Sequence, residues 1–145
     1  MNVLYPAIFE YDRSDKRYTV HFPDLSEAIT EGTTLEEAAF NAAEVLTLTL
    51  EGRIDDGLEI PPPSHYKNAK LIAPSAKAQT ALLIRWAKGN HTIAEIAHAL
   101  NSPFPTIAKL ENPHTWPSMH LLERAAAIIG KRLVISLEPA FAQIK

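Results

Sequence analysis

The chain has 145 residues, 46% hydrophobic and 21% charged, with a formal net charge of -3. That balance excludes a disordered chain, and the length supports two small cores or one ordinary one. Cysteine is absent, which excludes disulfides, thiolate catalysis and thiolate metal sites and fits a reducing cytoplasm.

No apolar run is long enough to cross a bilayer. The first residues, Met1 to Arg13, lack a basic segment followed by an apolar core, so no signal peptide is expected and the expected location is cytoplasmic. The net charge hides an asymmetry. Residues 1–73 hold six Lys+Arg against thirteen Asp+Glu, and residues 74–145 hold eight against four. An acidic half and a basic half imply two surfaces with different partners: the basic one suits phosphates, the acidic one a cationic protein. Chance clustering of solvated charge is the plain alternative.

Val3 to Tyr11 alternates, with Val3, Tyr5, Ala7, Phe9 and Tyr11 on one face of an extended segment. Arg17 to Phe22 alternates again, and the polar link between them makes a β-hairpin. Pro23-Asp24 stops the second strand, and Ala28 to Glu31 supplies a short third one. Thr34 is a good helix N-cap, with Glu37 at capping-box spacing. Leu35, Ala38, Ala42, Val45, Leu46 and Thr49 form the helix's inner stripe, which ends near Gly52 or at Gly57. Pro61-Pro62-Pro63 is a stiff spacer. Ala69 to Ala73 reads as a fourth strand returning to the sheet. This β-β-β-α-β order gives an α+β domain over residues 1–73, with one helix on one sheet face.

Residues 74–145 read as a second, all-α domain with a short closing strand. Ser75 opens a helix to about Lys88, with Ala78, Leu82, Ile84 and Trp86 as candidate buried positions. Thr92, with Glu95 completing a capping box, opens the next, and Asn101-Ser102 makes a turn. Pro103 suits the first turn of a following helix, where its missing N–H costs nothing. Ile107 and Leu110 pack that helix inward, and Asn112-Pro113 ends it. Ser118 starts a last helix, with Leu121, Leu122, Ala125, Ile128 and Ile129 inward and Gly130 as its stop. Leu133 to Leu137 is a short β-branched strand. From Thr92 to Gly130 this is a helix-turn-helix pattern, which places a recognition helix in a DNA major groove.

Two parts of the chain resemble one family. Tyr18-Thr19-Val20-His21-Phe22-Pro23-Asp24-Leu25, then Glu31-Gly32-Thr33-Thr34, then Leu35-Glu36-Glu37-Ala38 resemble the HicB antitoxin pattern. The tail is similar to the Xre-type helix-turn-helix of a subset of these antitoxins, including the closing strand after Gly130. The resemblance implies a first domain like ribonuclease H in shape. It also implies a partner, a small basic mRNA-cleaving toxin of the HicA type, and repression of the chain's own operon through operator double-stranded DNA.

The expected DNA-facing residues are Phe104, Thr106, Lys109 and Asn112, with Ser102 at the turn and Thr92 at the preceding cap. Phe104 and Pro105 stand where many Xre-type units carry basic or amide residues, so Phe104 either meets a thymine methyl or packs on the domain. Arg85, Lys88, Lys131 and Arg132 are candidate phosphate contacts. Two half-sites call for a homodimer or higher homo-oligomer, and Leu133, Val134, Ile135 and Leu137 can pair with their own copy across a twofold axis. An edge strand within the chain is the alternative. Asp24, Glu27 and Glu31 are the candidate toxin-binding constellation, against a plain solvated loop.

No catalytic residue, metal site or cofactor is expected. Carboxylates do not spread along adjacent strands, His91 and His98 lie too far apart for one metal, and nucleotide and hydrolase signatures are absent. Trp86 and Trp116 read as core or lid. The competing reading is a stand-alone helix-turn-helix regulator with a small-molecule sensor in residues 1–73, which requires a deep apolar pocket there.

Overall fold

The computed structural model describes residues 1–140. The end of the expected second domain, residues 141–145, lies outside the described residues. The chain divides into two compact units: Val3–Ser75 together with the segment from Glu138, and Ala76–Leu137 together with Met1–Asn2.

The sheet unit holds β1 (Tyr5–Asp12), β2 (Arg17–Phe22), β3 (Leu25–Gly32), α1 (Leu35–Asp55) and β4 (Lys70–Ile72). The strands lie in the order β3-β2-β1-β4, and every neighbouring pair is antiparallel. The alternation of β2 explains its fit: Val20 and Phe22 are buried while Thr19 and His21 are exposed. β3 is longer than its pattern indicates because its pairing breaks. Phe22 faces Leu25 but His21 faces Ile29, so Ser26–Ala28 bulge out of register.

α1 packs on β3 and β2. The Thr34 hydroxyl accepts from the Glu37 N–H at 3.1 Å. The Glu37 carboxylate bonds not to Thr34 but to the Thr33 hydroxyl at 3.0 Å, so the box closes one residue early. Ala38, Ala42, Leu46 and Leu50 are the buried stripe, with Leu50 in place of the expected Val45 and Thr49. The helix runs through Gly52 and stops at Asp55, with Gly57 at φ +68° just past the cap. Small residues let helix and sheet approach closely. A Cβ built on Gly32 would lie 2.5 Å from the Ala38 nitrogen.

The helical unit holds α2 (Ala76–Ala87), α3 (Ile93–Ala99), α4 (Phe104–Ala108) with a 3-10 turn (Lys109–Glu111), and α5 (Met119–Ile128). Its core gathers Ile84, Ile96, Leu100, Ile107, Leu110 and Leu122 with their neighbours. The caps follow the sequence: Thr92 accepts from the Glu95 N–H at 3.1 Å, and Ser118 from the Leu121 N–H at 3.2 Å. Asn101 takes φ +52°, a left-handed position that its short amide tolerates.

Four expectations are corrected here. Pro103 is the N-cap of α4 rather than a first-turn residue; Pro105 occupies that turn instead. Ile128 is 40% exposed, because the inner face of α5 runs through Leu122, Ala125 and Ala126. Trp116 is 71% exposed and is neither core nor lid; Lys77 sits over its ring at 5.0 Å. Leu133–Leu137 forms no strand among the described residues. A strand exists only against a partner edge, and the one sheet of the described chain is complete without this segment.

Candidate functional site

The connection from α1 to β4 is long and carries Pro61-Pro62-Pro63, which donate no backbone hydrogen bonds. Side chains hold it instead. The Tyr5 hydroxyl donates to the Pro61 carbonyl at 2.7 Å, and the Ser64 N–H donates to the Asp24 carboxylate at 2.9 Å. Arg53, on the last turn of α1, donates to the Glu59 carbonyl at 3.1 Å. The same guanidinium grips Glu27 through two bonds of 2.8 Å, the forked geometry that Arg and a carboxylate share.

This knot sets the local electrostatics. Hydrogen bonding from Arg53 lowers the Glu27 carboxyl to about 2. The Arg53 pKa is raised in turn, chiefly by its bonds to Glu27. Burial, and then the charge of Asp24, push the Tyr5 phenol above its ordinary value.

The three candidate toxin-binding acids are thus not one open cluster. Asp24 and Glu27 belong to the knot. Glu31 lies at the far end of β3, paired with Arg17 and accepting at its carbonyl from the Asn41 amide at 2.9 Å. Each acid has an internal partner. Sequence reasoning missed Arg53 and Arg17 because their partners sit 26 and 14 residues away, beyond any local spacing rule.

In the helical unit, the candidate DNA-facing residues Phe104, Thr106, Lys109 and Asn112 are all exposed, while Ile107 and Leu110 between them are buried. Phe104 is 54% exposed, which settles that it does not pack into the core. Ser102 is half-buried, its hydroxyl 3.4 Å from the Leu100 carbonyl. The Asn112 side-chain oxygen accepts from the His114 N–H at 2.9 Å, which leaves its amide nitrogen facing outward as a donor with no partner among the described residues.

Glu111 was not anticipated. Its carboxylate accepts from the Lys88 ammonium at 2.8 Å, and its carbonyl accepts from Arg85 at 3.3 Å. Two candidate phosphate contacts are therefore engaged internally, whereas Lys109, Arg124, Lys131 and Arg132 are exposed with no carboxylate partner among the described residues. Leu133 packs against the core, while Val134, Ile135 and Leu137 are 77%, 69% and 101% exposed, an apolar segment with no strand pairing among the described residues. Among the described residues no group of His, Asp or Glu can hold a metal ion, and no helix is long and apolar enough to cross a membrane.

Residues 4–74, which span all four strands and α1, match the HicB-like antitoxin of bacterial toxin-antitoxin systems. Whole-chain likeness extends through the helical unit. Antitoxin HicB 2 of Photorhabdus laumondii is 31% identical over 133 residues, 91% of this chain and 94% of that protein. Antitoxin HicB of Escherichia coli is 30% identical over 122 residues, 80% of this chain and 86% of that protein. The chain belongs to the HicB antitoxin family.

Proposed function

We propose that the chain silences a small basic, HicA-like mRNA-cleaving toxin with its sheet unit and represses its own operon with its helical unit. The carrying observation is that charge and architecture divide at nearly the same place. The acidic surplus belongs to residues 1–73, and the sheet unit spans Val3–Ser75. A cationic nuclease is drawn to that unit, and occupancy of its RNA-binding face excludes substrate by bulk and by charge. Asp24, Glu27 and Glu31 lie on this acidic side, but as partners of Ser64, Arg53 and Arg17 they contribute less than free carboxylates would.

The helical unit acts as a helix-turn-helix in this reading. α4 enters the major groove by its N-terminal side, where Phe104 meets a thymine methyl and Thr106 and Lys109 reach base edges or phosphates. Asn112 and the capping Thr92 keep donor hydrogens for the DNA backbone, while the Ser102 hydroxyl at the turn donates to the Leu100 carbonyl. A single short helix makes few contacts, so a dimer reads a palindrome. Leu133, Val134, Ile135 and Leu137 supply its seam, each strand covering the other's exposed edge.

The test is to look for a short basic reading frame beside this gene and to co-express its product with this chain. The expected result is a stable complex, loss of RNA cleavage in the presence of this chain, and a shift of the upstream duplex. Lys109→Ala should weaken the shift on all sequences and reduce the salt slope by about 1. Failure of both complex and shift would refute the reading.

A further inference from the structure

The outer face of α1 carries a repeating pattern that neither core nor capping explains. Glu36, Phe40, Glu44 and Leu48 follow one another at intervals of four, so they share one face, stepping about 6 Å along the axis each time. Phe40 is 65% exposed and Leu48 66%. Scattered exposed apolar residues need no explanation. These two flank a hollow of about 450 Å³, lined also by Ala43, Thr47, Ala73 and Pro74. A second hollow continues past Phe40 to Glu36, where Ala140, the last described residue, forms part of its wall. The groove is open, on the outside of α1, so it is not the enclosed chamber that a small-molecule sensor requires.

Its charge is uncompensated. Unlike Asp24, Glu27 and Glu31, neither Glu36 nor Glu44 has a cationic partner among the described residues. Large apolar anchors beside a recess, rimmed by free carboxylates, fit a partner that offers an apolar side chain between lysines or arginines. A second copy packed face to face would set Glu36 and Glu44 against their own counterparts, a like-charge arrangement that opposes association.

We infer that the Phe40–Leu48 groove of α1 is the docking site for the cationic toxin, with Phe40 and Leu48 as anchors and Glu36 and Glu44 as the steering charges. This inference rests on the antitoxin reading above and fixes where on the sheet unit the partner sits. The knot at Glu27 and Arg53 is then a structural feature behind the interface and not part of it.

The experiment measures affinity of the full-length chain for a small basic HicA-like toxin, encoded beside this gene or supplied from one of the antitoxin's relatives. Phe40→Ser and Leu48→Ser should each weaken binding by about tenfold or more. The double charge reversal Glu36→Lys with Glu44→Lys should slow association by about tenfold at low salt and much less at high salt. Glu10→Lys, an exposed acid on β1, should change affinity by less than about threefold. A photo-crosslinker at Phe40 should join the chain to that partner, and one at Glu10 should not, a readout independent of the variants' stability. Binding by the wild type that no groove variant alters would overturn this surface and leave the antitoxin reading intact. No binding by the wild type would overturn both. Crosslinks from Phe40 only to a second copy, or only to residues 141–145 of the same chain, would give the groove a different occupant and overturn the inference.

Discussion

The two units use their charged side chains in opposite ways. In the sheet unit, Arg53, Glu27, Asp24 and Tyr5 reach across 26, 40 and 56 residues to tie down a connection that cannot bond itself. In the helical unit the side-chain bonds are local, as in the caps at Thr92 and Ser118, apart from the bonds of Arg85 and Lys88 to Glu111, and the core of Ile84, Ile96, Ile107 and Leu122 holds the helices. A unit with a proline-rich crossover spends polar groups on its own architecture. A unit with short turns ties down Arg85 and Lys88 but leaves Lys109, Arg124, Lys131 and Arg132 without a carboxylate partner among the described residues. Free surface charge is therefore not the same as counted charge, and only the structure separates them.

The largest expected effect comes from the apolar side of this contrast. Ile107→Ala should cost about 2–5 kcal/mol, because the residue is fully buried and the cavity cannot collapse. Hydrogen exchange should show the loss concentrated in residues 76–137. Gly32→Ala should cost about 1–3 kcal/mol or more, since its Cβ would strike the Ala38 backbone 2.5 Å away and not a flexible side chain. A chemical-denaturation midpoint measures it, and no loss would show that α1 can lift off β3 at little cost.

Arg53→Gln should cost about 1–2 kcal/mol after allowing for the half-exposed Glu27, and should speed proteolysis near Pro61–Ser64. The pH dependence follows from the same pair. Glu27 is lowered from 4.5 to about 2, so its contribution is complete above the unfolded carboxylate value and is lost as pH falls through about 2. Glu27→Gln should flatten that part of the stability profile, measured as urea midpoint against pH. The smallest effect is on the caps: Thr34→Ala and Thr92→Ala should each cost about 1 kcal/mol, read as a lowered melting temperature.

Local rules made much of the fold legible. Alternation marks β2 from Arg17 to Phe22 with its observed ends, and Thr34, Thr92 and Ser118 cap helices as their spacing implies. What escaped is non-local. Leu50, inside the helix under either expected end, continues the four-residue spacing of Ala38, Ala42 and Leu46, whereas the expected stripe turns to Val45 and Thr49, which the sheet leaves half-buried. The partners of Glu27 and Lys88 are set by tertiary approach, which no single-segment pattern encodes. The Leu133–Leu137 segment has strand composition without strand pairing, since composition cannot supply a neighbouring edge. The Phe40 and Leu48 stripe stands at four-residue spacing in the sequence, but spacing alone does not tell an exposed apolar stripe from a buried one.

The Glu111 clamp has a consequence for selectivity. Its carboxylate masks the Lys88 ammonium on the surface of an already basic unit, while its backbone carbonyl holds Arg85. Neutralising the carboxylate, as in Glu111→Gln, would unmask Lys88 and leave the carbonyl bond to Arg85 in place. The protein should then elute later from a heparin column, gaining affinity for polyanions in general. A glutamate in an otherwise cationic setting acts here as a brake on stickiness.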